Sequence, residues 1–320
     1  MLKRNLNYAV IDFTIAPLDP ILVKSNQSTV SGVDMSFVQT YRRGDKAEPF
    51  IPGSSLKGVI RSYAEKICRS LRAAPVPVCL PYLQPGNETP IESGQASCGF
   101  RMKEIEDNGI TIPSSDAYKI SCPICKIFGS HQFIGRLSTS DGYVVNKFIL
   151  ENRDGVAIDR FTGGAASGAI FDLEVLTSGD FRTKIEIHNF ENWQLGLIGL
   201  VLRDMEDGLI RIGMGKSRGL GRIKASIDTF SVAYWGKPSQ KLVGMHSLCT
   251  PEEIDLYGFI PETAPESNLG APTKLGLRHV YDITDNWKDL LSDAVSDLDA
   301  YIKSVSWPDL IDNYQVNLGD

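Results

Sequence analysis

The sequence predicts an α+β fold, and three observations predict it. Five stretches carry the β-branched and aromatic alternation of strands: 6–16, 135–150, 170–177, 183–189 and 222–232. Two helical stretches, 56–71 and 193–204, separate them. Strands and helices do not alternate one for one. An antiparallel sheet with intervening helices fits that order; a doubly wound parallel sheet does not.

Each element has its own warrant. The segment 6–16 alternates Tyr8, Val10 and Asp12 with Ala9, Ile11 and Phe13. Residues 17–50 are punctuated by Pro17, Pro20, Gly32, Gly44 and Pro49 and read as loop. The helix from Leu56 to Leu71 has an apolar stripe at Leu56, Val59, Ile60, Tyr63 and Ile67, with Ser54 or Ser55 suited to its N-cap. Residues 74–121 show little regular pattern, and 151–169 form a Gly-rich, polar excursion. The second helix contains Leu195, Leu197, Ile198, Leu200, Val201 and Leu202. A short strand at 209–212, a glycine loop at 213–221 and a strand at 222–232 follow. The order strand, helix, strands, helix, strand is ferredoxin-like. A last amphipathic helix is expected at 285–305, with Leu290, Leu291, Val295, Leu298 and Ile302 on one face.

The 320 residues carry 33 basic and 39 acidic side chains, a net charge of −6. The acidity is local. Residues 236–320 hold 6 basic and 14 acidic groups, whereas 1–235 hold 27 and 25 and are slightly basic. The expected organisation is therefore a core over 1–235 and an acidic C-terminal extension over 236–320. No apolar run reaches the roughly 20 residues that span a bilayer, and the first residues do not resemble a signal peptide. The expectation is a cytoplasmic protein with no membrane partner, whose cysteines are thiols or metal ligands.

The glycine loop reads Gly213-Met214-Gly215-Lys216-Ser217-Arg218-Gly219-Leu220-Gly221-Arg222. Glycines let the backbone approach a ligand closely, and Lys216, Arg218 and Arg222 suit phosphates. It is not a Walker A loop, because Ile210 stands where the first glycine belongs. Nor is it a dinucleotide fingerprint, because a strand follows where a helix is required. The plainer alternative is a hairpin with solvated charges. The second element is Pro52-Gly53-Ser54-Ser55-Leu56-Lys57-Gly58-Val59-Ile60-Arg61. A helix start attracts anions, and Lys57 and Arg61 lie one turn apart. Its plainer alternative is an ordinary cap with a solvated basic turn.

Cysteine usage makes an independent case. Cys122-Pro123-Ile124-Cys125 is a C-x-x-C turn, with Cys79 and Cys98 upstream in the same irregular region. Four thiolates enclose a tetrahedral zinc, and a loop poor in apolar residues needs a cross-link. His131 is the alternative fourth ligand; Cys68 and Cys249 read as plain thiols. The competing readings are a redox motif, for which no βαβ context exists, and scattered buried cysteines.

The helix start followed by Gly-x-Gly-x-x-Arg-Gly-x-Gly resembles the RAMP (repeat-associated mysterious protein) superfamily, and within it the backbone subunits of type III CRISPR effector complexes. Ile158-Asp159-Arg160-Phe161-Thr162-Gly163-Gly164-Ala165, leading to Gly168-Ala169-Ile170-Phe171-Asp172, is similar to that family's thumb hairpin. Gly135-Arg136-Leu137 resembles the strand before it. The likeness spans about 6–232.

The resemblance implies a modified RNA-recognition-motif core with a zinc-bearing insertion at 74–130 and a thumb at 150–170. It implies as partners a CRISPR RNA, a target RNA, other RAMP subunits and a large effector subunit. Ser54, Ser55, Lys57, Arg61, Gly215, Lys216, Ser217, Arg218 and Gly219 are then the guide-binding set, with Arg42 and Arg43 as further phosphate contacts. Phe161 is positioned to stack on a base. Phe171 and Tyr143, at strand positions, are expected in the core. Asp34, in Ser31-Gly32-Val33-Asp34-Met35, matches the family's catalytic aspartate, which cuts target RNA with Mg²⁺ or another divalent ion. Asp45 is the rival position, and a turn aspartate satisfied by its own backbone is the plainer reading of Asp34. Two other functions compete: a guide-binding subunit without catalysis, and a CRISPR RNA processing endonuclease. The latter commonly uses an early histidine, and the first 130 residues contain none.

Overall fold

The computed structural model describes residues 3–25, 33–42, 44, 46–84, 95–263 and 268–314. Arg43, Asp45, Ser31 and Gly32 lie outside the described residues. The strands are β1 (Asn7–Pro17), β2 (Gln39–Thr40), β3 (Glu48–Ile51), β4 (Leu137–Thr139), β5 (Gly142–Val144), β6 (Ile149–Ile158), β7 (Ala165–Ser178), β8 (Phe181–His188), β9 (Ile223–Trp235), β10 (Thr273–Leu275) and β11 (Arg278–Asp282). The helices are α1 (Gly53–Leu71), α2 (Cys98–Asp107), α3 (Ser114–Lys119), α4 (Pro123–Phe128), α5 (Asn192–Glu206), α6 (Met245–Leu248), α7 (Pro251–Tyr257), α8 (Trp287–Leu290), α9 (Ser292–Ser304) and α10 (Asp309–Asp312).

The main sheet runs β10-β11-β9-β1-β8-β5-β3-β2, and β4 also pairs with β8. Every pairing is antiparallel. In β1 the alternation works as read: Ala9, Ile11, Phe13 and Ile15 are fully buried beneath the helices, each large side chain contributing about 1.5–3 kcal/mol. Leu56, Ile60 and Ala64 of α1 enter the same core, together with Leu195, Leu197, Ile198 and Val201 of α5.

Several local expectations change. The N-cap of α1 is Pro52, so Ser54 and Ser55 are exposed first-turn residues and neither caps. The first helical N–H, on Gly53, instead donates to Asp141 Oδ1 at 2.7 Å, a carboxylate from between β4 and β5. The region 74–121 contains α2 and α3. Their inward faces are made of Cys98, Gly99, Met102, Ser115, Ala117 and Tyr118, a mixed set that leaves no stripe of Leu and Ile to recognise. The polar excursion at 151–169 is the far half of a two-stranded hairpin, β6 with β7, which extends to Ser178. Residues 209–212 form no strand; only Arg211 bridges to Arg222. Phe171 and Tyr143 are half-buried and outside the core.

Residues after 235 continue the architecture. Strands β10 and β11 extend the sheet from β9. Helix α9 lies on α5, and α8 precedes it as a separate turn. The contact is close because position 196 is glycine: a Cβ there would meet the Ala294 carbonyl oxygen at 2.2 Å. Among the described residues no helix is long and apolar enough to cross a membrane.

Candidate functional site

The first turn of α1 and the glycine loop are more than 150 residues apart in sequence and form opposite walls of one cleft. Its volume is about 380 Å³, and Ser55, Leu56, Gly58, Val59, Gly213, Met214 and Lys216 are among its lining residues, with Lys24 at its rim. The loop is held there by backbone. Met214 N donates to Leu22 O at 2.8 Å. Gly213 has φ of +73°, and a Cβ would stand 2.1 Å from the same Leu22 oxygen, so a side chain is excluded. A smaller hollow continues the cleft past Ser62, Lys66, Arg211 and Lys216.

Among the described residues, Lys24, Lys66, Arg211 and Lys216 along this path have no carboxylate partner within 4.0 Å, and Lys66 and Lys216 repel one another. Partial burial, and then the Lys66 charge, hold the Lys216 ammonium below its usual range. Burial and then Arg61 do the same to Lys57. An anion in the cleft relieves the repulsion at Lys216, whereas Lys57 is not among the lining residues and lies on the Arg61 face of α1. Arg211 Nη1 donates to the Lys216 carbonyl at 2.5 Å and so braces the loop. Ser217 and Gly219 are exposed on its outer turn. Arg222 is engaged with Asp19 at 3.2 Å.

Beyond the loop a second hollow, about 240 Å³, separates Gly215 and Arg218 from the hairpin residues Arg153, Asp154, Gly155 and Phe171. The Arg218 guanidinium lies 5.8 Å from the Phe171 ring centroid. Phe161 sits at the hairpin tip and is wholly exposed, its N–H donating to Asp159 Oδ1 at 2.8 Å. Arg42 is exposed over the Tyr143 ring at 4.0 Å, away from the glycine loop's lining.

Asp34 is fixed against the middle of this hairpin. Its Oδ2 accepts from Asp172 N at 3.2 Å, which ties it to the hairpin backbone. The neighbouring Met35 bonds both ways with β7, from Met35 N to Asp172 O and from Glu174 N to Met35 O. Asp172 stands directly opposite Asp154 in the strand register. Local desolvation, then Asp154, then Asp34 raise the Asp172 carboxyl above its usual range. Asp154 and Asp172 were not visible as partners of Asp34 in the sequence, because strand register brings them together. Lys24 and Lys66 were missed at the cleft for the same kind of reason.

The cysteines converge as their spacing predicts. The Sγ atoms of Cys79, Cys98, Cys122 and Cys125 all lie within 4.8 Å of one another, and all four residues are buried. Cys79 to Cys125 is 3.5 Å and Cys122 to Cys79 is 3.6 Å. Four sulfurs around zinc at about 2.3 Å stand about 3.8 Å apart, so the spacing fits such an ion. Cys122 N donates to Cys98 Sγ at 3.3 Å, and Cys125 N to Cys122 Sγ at 3.4 Å. Backbone N–H groups aimed at sulfur stabilise thiolates. His131 is not part of the cluster and lies against Phe100. Burial pushes the Cys68 thiol up to about 12 and the Cys249 thiol up to about 11, which keeps both protonated. Arg61, expected beside Lys57 at the cleft, turns toward this cluster instead: its Nη2 is 3.7 Å from Cys125 Sγ.

The family model described as the RAMP superfamily matches residues 17–224, well over half of the 320. The match runs from the end of β1 to the start of β9 and takes in the helix start, the cysteines, the hairpin and the glycine loop. No curated protein matches the chain.

Proposed function

The chain belongs to the RAMP superfamily, and from that premise we propose that it is a CRISPR RNA-binding backbone subunit of a type III-like interference complex that cleaves guide-paired target RNA. The observation that carries the reading is the shared cleft of α1 and the glycine loop. A guide phosphate there meets the helix start at Ser55 and, opposite, Lys216, with Ser217, Arg218 and the backbone of Gly215 and Gly219 beyond. Ser54 and Lys57 belong to the same helix start but stand outside the cleft lining. Such contacts read backbone and not bases, as a subunit serving any guide sequence requires.

The strand order supports a ferredoxin-like, RNA-recognition-motif core. Strands β9, β1 and β8 with β4 and β5 occupy the positions of the fourth, first, third and second strands of that fold. The hairpin carrying Phe161 is the thumb, and Phe161 stacks on a base at its tip. Residues 74–130 form the zinc-bearing insertion, held by Cys79, Cys98, Cys122 and Cys125. Residues 236–320 are the acidic extension of the 1–235 core, and the protein works in the cytoplasm beside other RAMP subunits and a large effector subunit.

Asp34 is the catalytic residue of this proposal, and its bond to Asp172 N in the thumb hairpin supports the reading. Its carboxylate orients the attacking 2′-hydroxyl and accepts its proton as the 2′-oxygen bonds to phosphorus. The P–O5′ bond breaks, leaving a 2′,3′-cyclic phosphate, and the departing 5′-oxygen takes a proton from water. With Asp154 and Asp172 it supplies oxygen ligands of the type that Mg²⁺ takes, and the mutual repulsion of these groups favours a cation among them. A bound divalent ion would neutralise charge on the scissile phosphate. The test is cleavage of complementary RNA by the reconstituted assembly, with and without Mg²⁺. Asp34→Ala is expected to abolish the cut and leave RNA affinity unchanged. Unchanged cleavage in that variant, with loss in Asp45→Ala, refutes the assignment; no cleavage by the wild type makes the subunit a structural one.

A further inference from the structure

Arg61 stands one turn after Lys57 on α1, the position of a phosphate contact. The structure gives it different company. Its Nη2 is 3.7 Å from Cys125 Sγ, and its Nε is 3.1 Å from Glu65 Oε1. Glu65 also takes Arg69 Nη1 at 3.6 Å, and Arg69 Nη2 donates to the Cys79 carbonyl at 3.5 Å. The ladder Arg61-Glu65-Arg69 repeats every four residues, so it occupies one face of α1. That face reaches two of the four cysteines, one through its sulfur and one through its backbone.

We propose that Arg61 is a positioning residue of the metal centre: it compensates the charge of the thiolates and ties α1, the helix that lines the cleft, to the insertion. The inference rests on reading the cysteine cluster as a zinc site. Four thiolates around Zn²⁺ leave two net negative charges in a buried place, and buried charge persists only when it is paired or hydrogen-bonded. Two backbone N–H groups point at sulfurs of the cluster. Among the described residues, Arg61 is the cationic side chain hydrogen-bonded to one of those sulfurs. A guanidinium hydrogen bond to a thiolate is charge-assisted, whereas a neutral thiol is a weak acceptor. Lys126, buried directly after the C-x-x-C turn, directs its Nζ over the Tyr118 and Tyr301 rings, so the sulfur contact falls to Arg61. Glu65 fixes the guanidinium and prevents it from swinging out to solvent.

The test compares the full chain with Arg61→Gln and Arg61→Lys. Three quantities are measured: zinc released to a chromophoric chelator, the thiolate-to-cobalt charge-transfer band of the Co²⁺-substituted protein, and the salt dependence of single-stranded RNA binding. Arg61→Gln is expected to weaken zinc retention by about 10–100-fold, the usual effect of losing a partner of a metal ligand. It is also expected to shift the cobalt band and to leave the RNA salt slope at the wild-type value. Arg61→Lys, which keeps the charge, recovers most of the retention. If Arg61→Gln does not fold, Glu65→Gln, which removes only the anchor, is expected to speed zinc release in the same direction. Unchanged zinc release with an RNA salt slope smaller by about 0.7 overturns the proposal and returns Arg61 to the phosphate set. A wild-type chain that takes up neither zinc nor cobalt overturns the zinc reading itself, a result distinct from the previous one.

Discussion

Replacing Lys216 by alanine removes one positive charge from the cleft and leaves the core intact. The side chain is exposed, and its backbone carbonyl still accepts from Arg211. Lys24, Lys66, Arg211, Lys216 and Arg218 line the cleft and its two continuations. If each neutralises one phosphate of a single strand, the plot of log association constant against log salt has a slope of about −3.5, at about −0.7 per contact. Between 50 and 200 mM salt the wild type then loses about 130-fold in affinity. Lys216→Ala should show a slope of about −2.8 and lose about 50-fold over the same range. At fixed low salt, loss of one charge-assisted contact of about 1.5–3 kcal/mol lowers affinity by about 10–150-fold. Fluorescence anisotropy with a labelled single-stranded RNA at several salt concentrations measures all of these. Thermal unfolding checks that stability stays within about 0.5 kcal/mol, as for an exposed site. A variant with the wild-type slope and affinity would refute the placement of RNA in this cleft.

Three further outcomes are expected. Elemental analysis should find one zinc per chain, and Cys122→Ser should lose the metal and several kcal/mol of stability, since metal binding here is folding energy; a metal-free wild type of unchanged stability contradicts this. Phe161→Ala, at a wholly exposed tip, should leave the unfolding midpoint unchanged while removing about 1–3 kcal/mol of RNA binding through lost stacking; equal affinity would show that Phe161 touches no base. Burial pushes the Glu262 carboxyl from 4.5 up to about 7, against the pull of the Gly244 N–H. The folded state then holds this proton where the unfolded state has lost it, so stability falls as pH rises from about 4.5 through 7, by up to about 3 kcal/mol. Glu262→Gln should flatten that part of a urea-unfolding pH series, and an identical pH slope in the two proteins rules it out.

The elements that position the site were legible where local chemistry dictates them. The alternation of β1 and the stripes of α1 and α5 are periodic patterns, and the chain folds by them. The cysteine set was legible because a C-x-x-C turn in a region with few apolar residues has few other uses. The glycine loop was legible as a close-approach element, and Gly213 shows why, with Leu22 O where its Cβ would be. What the sequence hid depends on long-range packing. Helix position alone put Arg61 beside Lys57, yet the cysteine cluster faces that turn and takes the guanidinium. Helices α2 and α3 bury Cys98, Gly99, Met102, Ser115, Ala117 and Tyr118, a mixture with no Leu or Ile stripe, so they leave no regular apolar period. Asp154 meets Asp172 only through the register of β6 and β7. The charge division at residue 235 did not foretell that β10 and β11 extend the same sheet and that α9 lies on α5 through Gly196.

The central claim is that RNA backbone lies between the first turn of α1 and the glycine loop. A density map of the purified subunit or its assembly with bound RNA tests it most directly. The account predicts phosphates within hydrogen-bonding distance of Ser55 on one wall and Lys216 on the other. RNA running along a different face, with this cleft empty, would contradict it.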